Sequence, residues 1–318
     1  MRLDVHNHVI PEALLALVRE DPAFGVEVAD GWWRGPDHVP FPIERTFHDP
    51  ATRLADLERA GLEGAVISPA PALFAYRLDP DRAARFARVV NEGLAEFCAA
   101  APERLHFLAD LPMGHVELSA ELIGEASRLG AVGIAVATSI AGRRLDEARF
   151  RPFWQACAER SLPVFVHPAF NDQHAALNEW YLQNVIGNPL ETAIVGERLM
   201  CSGLLDEVPG ITVMLVHGGG FFPYQLDRLR HASQVRPEHA APVDTERLLG
   251  HFVFDTLLHG PQALRFLAER VGIDRLLLGT DMPFDMGQDQ PVSAIADALG
   301  AEAVQIVAER NPAGVFLG

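Results

Sequence analysis

The sequence predicts an α/β chain built as a distorted (β/α)8 TIM barrel with a small insertion after its first strand. Eight short apolar runs alternate with amphipathic segments along the 318 residues. The runs are rich in Val, Ile, Leu and Phe and do not alternate strictly with polar residues, which is the pattern of parallel strands covered on both faces. The length suits one barrel with insertions as well as two smaller domains, and eight βα units decide for the barrel, a single domain over residues 1–318. A doubly wound open sheet is the alternative. It would usually begin with a glycine-rich first turn, which His8-Val9-Ile10-Pro11 is not.

The strands are expected at Leu3–His8, Gly64–Ser68, Leu105–Leu111, Val132–Ala137, Pro163–His167, Thr212–His217, Phe252–Thr256 and Arg275–Asp281. Asp49-Pro50 reads as an N-cap followed by proline in the first helical position, with Gly61 after the last turn, and Asp79-Pro80 opens a second helix the same way. Glu117 to Leu129 closes on Gly130, and Pro261 opens the helix before the eighth strand. Residues 20–48 break this rhythm with two tryptophans, three glycines and four prolines, and read as a small insertion, a hairpin. A long connection over residues 169–188 carries Phe170, Trp180 and Tyr181, and long loops on barrels are commonly functional.

The net charge of −17 argues against a nucleic-acid or anionic-membrane partner. The three cysteines, Cys98, Cys157 and Cys201, are far apart and read as reduced thiols of a cytoplasmic protein. The N-terminus has no signal-peptide pattern, and no apolar run is long enough to span a bilayer.

Barrel active sites lie at the C-terminal ends of the strands. His6 and His8 close the first expected strand, His167 the fifth, His217 the sixth and Asp281 the eighth. One histidine closing a strand would read as a satisfied core residue, but five polar residues ending four apolar strands point to a metal. His6 and His8 are two apart, so an extended strand turns both to one face. His6, His8, His167 and Asp281 suit one divalent ion, Zn2+ first and Mn2+ second, which would lower the pKa of a bound water to roughly 7. His217 reads as the acid or base beside it, or alternatively as a direct ligand. No lysine stands on the fourth or fifth strand to bridge a second metal. Asp255 closes the seventh strand, where capping is the expected role and orienting a ligand the alternative. His174, in the long connection, is the first of the remaining histidines to check. His217-Gly218-Gly219-Gly220 looks like an esterase oxyanion loop, but the chain has no G-x-S-x-G nucleophile.

At these residues the chain resembles the amidohydrolase superfamily, and within it the branch containing aminocarboxymuconate semialdehyde decarboxylase. The resemblance rests on Asp4-Val5-His6-Asn7-His8-Val9-Ile10-Pro11, Leu111-Pro112-Met113, Phe165-Val166-His167-Pro168, His217-Gly218-Gly219-Gly220-Phe221, Leu278-Gly279-Thr280-Asp281-Met282-Pro283-Phe284 and the ending from Asn311 to Gly318. It implies one Zn2+ held by His6, His8, His167 and Asp281, with His217 and Asp281 as catalytic groups, in a homodimer. The implied reaction is non-oxidative decarboxylation of a small unsaturated or aromatic carboxylic acid. The alternative is a hydrolase or hydratase acting on an amide, lactone or conjugated acid. Arg228 matches a position from which a neighbouring subunit grips the substrate carboxylate, and Phe284 matches a substrate-facing aromatic. A second family arginine is absent: counting back from Asp49-Pro50 places Phe41 there, with Arg45 the nearest substitute. Trp180 and Tyr181 are candidates to roof the pocket.

Overall fold

The computed structural model describes residues 1–35, 40–169 and 175–318. Phe170 and His174 lie outside the described residues. Eight parallel strands follow one another around a barrel: β1 in two pieces, Leu3–Asp4 and His8–Val9, then β2 Gly64–Pro69, β3 Leu105–Ala109, β4 Gly133–Ala137, β5 Val164–His167, β6 Val213–Leu215, β7 Phe252–Asp255 and β8 Leu276–Leu277. The circle closes between β8 and β1. The Val5 amide donates to the Leu278 carbonyl at 2.9 Å and the Thr280 amide to the His6 carbonyl at 3.1 Å. Closure excludes the doubly wound sheet.

The expected helix starts are present. Asp49 caps the helix Pro50–Arg59 by accepting from the Ala51 amide, and Asp79 caps Pro80–Ala99 by accepting from the Arg82 amide. Gly61 and Gly130 take the left-handed backbone after their helices, at φ of 74° and 92°. The insertion is larger than a hairpin, a three-stranded antiparallel sheet of Glu27–Ala29, Trp32–Arg34 and Phe41–Pro42. It is preceded by a helix, Glu12–Glu20, whose Leu14, Leu15, Leu17 and Val18 are buried. Trp33 anchors the insertion in the core.

Several strand ends shift by one or more residues, and two of the shifts bear on the site. β6 stops at Leu215 and β8 at Leu277, so His217 and Asp281 leave the ladder. Both adopt positive φ, 55° and 64°. Left-handed backbone costs a non-glycine residue on the order of 1–3 kcal/mol and persists where surrounding contacts over-determine it. Here the Asp281 amide is held by the His6 carbonyl at 2.6 Å. The glycines after His217 provide close approach: a Cβ on Gly220 would lie 2.1 Å from the Pro189 carbonyl oxygen. Among the described residues, no helix is long and apolar enough to cross a membrane.

Candidate metal centre

β1 brings His6 and His8 to the barrel mouth, the end of β5 brings His167, and the turns after β6 and β8 bring His217 and Asp281. The ring of His6 lies 5.1–5.2 Å, centroid to centroid, from those of His8, His167 and His217. The side-chain donor atoms of His6, His167, His217 and Asp281 all lie within 4.8 Å of one another. His8 stands beside this group, its Nε2 hydrogen-bonded to Asp281 Oδ1 at 2.9 Å. The five polar strand ends read from the sequence therefore meet at one point. The tightest four-donor group includes His217, expected beside the metal, and leaves out His8.

The far ring nitrogens are held by the scaffold. His6 Nδ1 is 2.6 Å from Asp255 Oδ2, His167 Nδ1 is 2.7 Å from the Pro168 carbonyl oxygen, and His8 Nδ1 is 3.0 Å from Ser68 Oγ. A carboxylate and a carbonyl can only accept, so His6 and His167 carry their protons on Nδ1 and turn bare Nε2 atoms inward. Both Nε2 atoms are buried and lack a hydrogen-bond partner among the described residues, that of His6 facing Asp281 Oδ1 at 3.4 Å without hydrogen-bond geometry. Buried polar atoms are normally satisfied. Two bare imidazole nitrogens converging on a carboxylate fit a divalent cation.

The charge balance agrees. Burial pushes His8 down to about 4 and His167 well below the ordinary imidazole range, so both are neutral, as ligands must be. Burial would lower His6 too, but the Asp281 and Asp255 carboxylates outweigh it and lift it to about 10, so without an ion a second proton sits on Nε2, and a bound cation would displace it and leave that nitrogen bare. Asp281 stays well below the usual carboxylate range despite its burial, because His6 and its neighbours favour the charged form. Two carboxylates against this cluster recruit positive charge.

Asp255 does more than cap its strand. It accepts from the His217 and Gly218 amides at 2.9 and 2.8 Å while holding His6. Asp4 has a similar role, taking the His6 amide at 3.0 Å and the Thr280 hydroxyl at 2.6 Å, which ties the HxH segment to the Asp281 turn.

The chain matches the amidohydrolase family model over residues 3–317. The chain belongs to the amidohydrolase family. Among its relatives is the 2-amino-3-carboxymuconate-6-semialdehyde decarboxylase of Dictyostelium discoideum, 28% identical over 92% of this chain and 84% of that one. A gamma-resorcylate decarboxylase of Rhodococcus jostii is 32% identical over 73% of this chain and 77% of its own. Of solved structures, a 2,6-dihydroxybenzoate decarboxylase from Rhizobium is 25% identical, with a TM-score of 0.81 over 99% of this chain and 98% of that one.

The expected substrate contacts of this amidohydrolase divide. Phe284 stands 5.3 Å from the His8 ring and packs with Phe41 and Phe47 at 5.7 and 5.4 Å, an aromatic wall on one flank of the cluster. Phe41 thus occupies the wall itself. Arg45 is engaged with Asp49 at 2.8 Å. Trp180 is 82% exposed. Neighbouring Tyr181 is close enough to Asp285 and Asp281 for their charges to add to burial in raising its pKa. Arg228 is exposed on the helix Phe222–Val235 and makes no ion pair among the described residues.

Proposed function

We propose that this chain is a metal-dependent, non-oxidative decarboxylase of a small aromatic or unsaturated carboxylic acid. The observation that carries the reading is the pair of bare, buried Nε2 atoms of His6 and His167 aimed at Asp281, in a chain whose relatives over most of its length are decarboxylases. His6, His8, His167 and Asp281 would hold one divalent ion, Zn2+ before Mn2+, with His217 as the neighbouring acid or base. When bound, the ion supplies Lewis-acid polarisation of the substrate's oxygen atoms.

The residues of the chain do the rest. Loss of CO2 leaves its bonding electron pair on the substrate carbon, and that carbon must take a proton. Asp281 and His217, 3.8 Å apart, are the groups that would carry it. Phe284 and Phe41 offer a flat apolar face to a ring. Arg228, which makes no ion pair among the described residues, suits a carboxylate presented across a homodimer interface.

Metal analysis together with CO2 release from a panel of aromatic acids tests the reading. One divalent ion per chain is expected, with CO2 release abolished by a chelator and restored by Zn2+ or Mn2+. Hydrolysis of a lactone or amide without CO2 release from any acid would favour the hydrolase alternative. Purified protein that retains no ion, and whose His6→Ala variant matches the parent in every assay, would defeat both.

A further inference from the structure

One titratable side chain within the barrel takes no part in the cluster. Asp110 directly follows β3 and is only 2% exposed, and although its carboxyl takes a hydrogen bond from the Leu111 amide, its Oδ1 has no partner among the described residues. Its direction follows from the register. On β4, Ala137 pairs with His167 and Ala135 with Phe165, whose ring lies 5.3 Å from that of His6. Paired residues of a parallel ladder share a face, so Ala137, Ala135 and Gly133 face inward with His167 and Phe165. Leu108 pairs with Gly133 and therefore also faces inward, and Asp110, two residues later, follows it. Asp110 thus faces inward at the level of Ala135 and Phe165, one inward position below His167.

The surroundings fix the side chain's base. The inward residues of β4 are small, Gly133, Ala135 and Ala137, and Leu108 and Pro163 fill the place that a Gly133 side chain would take. Asn91 clamps Asp110 at the backbone, donating to its carbonyl at 2.9 Å and accepting from its amide at 2.8 Å. Tyr76 stands beside it, its hydroxyl accepting from the Ala137 amide at 3.0 Å. Burial pushes the Asp110 carboxyl well above the usual range and favours its protonated form, which can both donate and accept. Burying a carboxyl with one oxygen unpaired costs stability. A scaffold that retains one at the catalytic end of its barrel is keeping it for something that binds there.

We propose that Asp110 is a specificity-determining residue whose carboxyl exchanges hydrogen bonds with a hydroxyl on the substrate, so that the site selects a hydroxylated aromatic or enolic acid over its deoxy counterpart. This rests on the decarboxylase reading above, and the test separates the two. Binding of benzoate and of 2-, 3- and 4-hydroxybenzoate is measured by calorimetry on the metal-loaded protein, on Asp110→Leu and on Asp110→Asn, with Tm recorded for each.

At least one hydroxybenzoate is expected to bind the parent about tenfold or more tighter than benzoate. Asp110→Leu abolishes that preference, leaves benzoate binding within about threefold, and does not lower Tm, because a buried carboxyl with one oxygen unpaired is removed. Asp110→Asn keeps the shape and part of the preference, which covers the case of a leucine variant that fails to fold. The proposal is overturned if the preference survives both substitutions, or if benzoate and hydroxybenzoate weaken together with a fall in Tm, the signature of a merely structural role. A parent that binds all four acids alike overturns the subsite alone. A parent that binds none overturns the decarboxylase reading and the subsite with it.

Discussion

The Asp255 carboxylate reaches His6 Nδ1 and the amides of His217 and Gly218, so one side chain orients two members of the cluster. It reaches across β8 because Gly279 lies between: a Cβ there would stand 2.8 Å from His6 Cβ and 2.9 Å from Asp255 Cβ. Asp255→Asn keeps the volume but removes the acceptor that fixes the His6 tautomer. Metal affinity is expected to fall by about 10–100-fold, read by competition against a chelating dye, while the parent's unfolding midpoint is largely retained. Unchanged affinity would show that His6 is oriented by packing alone. In the sequence, Asp255 is a polar residue closing a strand, which suggests capping first and orienting a ligand second, and capping is half of its role. The other half depends on a glycine in a different strand, a contact that pattern along the chain does not encode. Asp110 was harder still. A lone carboxylate between Ala109 and Leu111 belongs to no motif, and only the ladder register shows which way it faces. The histidines were legible because each ends an apolar run, so their shared position on the fold could be inferred strand by strand.

At the scale of elements, the helix Pro50–Arg59 is tied to β1 by a fully buried arginine. Arg53 donates to Asn7 Oδ1 and the His8 carbonyl, both at 2.7 Å, and to the Thr46 carbonyl at 3.1 Å. No carboxylate forms an ion pair with it among the described residues, so its role is to satisfy backbone and amide acceptors beneath the HxH segment. Arg53→Met leaves those acceptors buried and unpaired, and is expected to cost about 3–5 kcal/mol of unfolding free energy, measured by urea denaturation. Arg53→Lys recovers little, because one ammonium cannot span the fork of acceptors. A methionine variant within about 1 kcal/mol of the parent would contradict this, since ordinary surface changes fall in that range. The start of this helix was readable from Asp49-Pro50, because capping is local chemistry. The ends of β6 and β8 were not, because the apolar pattern runs on through Val216 and Leu278 while barrel closure turns the backbone away. The helix Glu12–Glu20 is legible in the sequence, because its apolar residues Leu14, Leu15, Leu17 and Val18 share one face.

At the scale of the whole molecule, the exposed apolar side chains concentrate beside the site. Val185, Ile186 and Leu190 at the start of the helix Asn188–Cys201, Phe221 and Tyr224 at the start of Phe222–Val235, and Phe266 on Pro261–Val271 are all exposed, Tyr224 by 73%. The first two helices pack together, and the Tyr224 and Phe266 rings lie 5.9 Å apart. Scattered apolar residues on a surface need no explanation, whereas a grouped set marks a binding face. Arg228 is one turn on from Tyr224, so a homodimer formed through this face would bring each Arg228 toward the partner's barrel mouth, as the proposed function requires. A two-fold interface repeats every contact reciprocally. Two predictions follow from that symmetry and can fail separately. Tyr224→Glu places a charge in the interface and is expected to shift the protein toward monomer in sedimentation. Arg228→Ala and His6→Ala are each expected to be inactive alone, one lacking the carboxylate grip and the other the metal. In a mixed dimer, the subunit with the intact metal site receives Arg228 from its partner, so one site in two works. Random mixing makes about half the dimers mixed, and about a quarter of parental activity should return. If co-purification through a tag on one variant shows mixed dimers and activity stays at zero, Arg228 does not cross the interface, and the carboxylate grip must come from within the same chain.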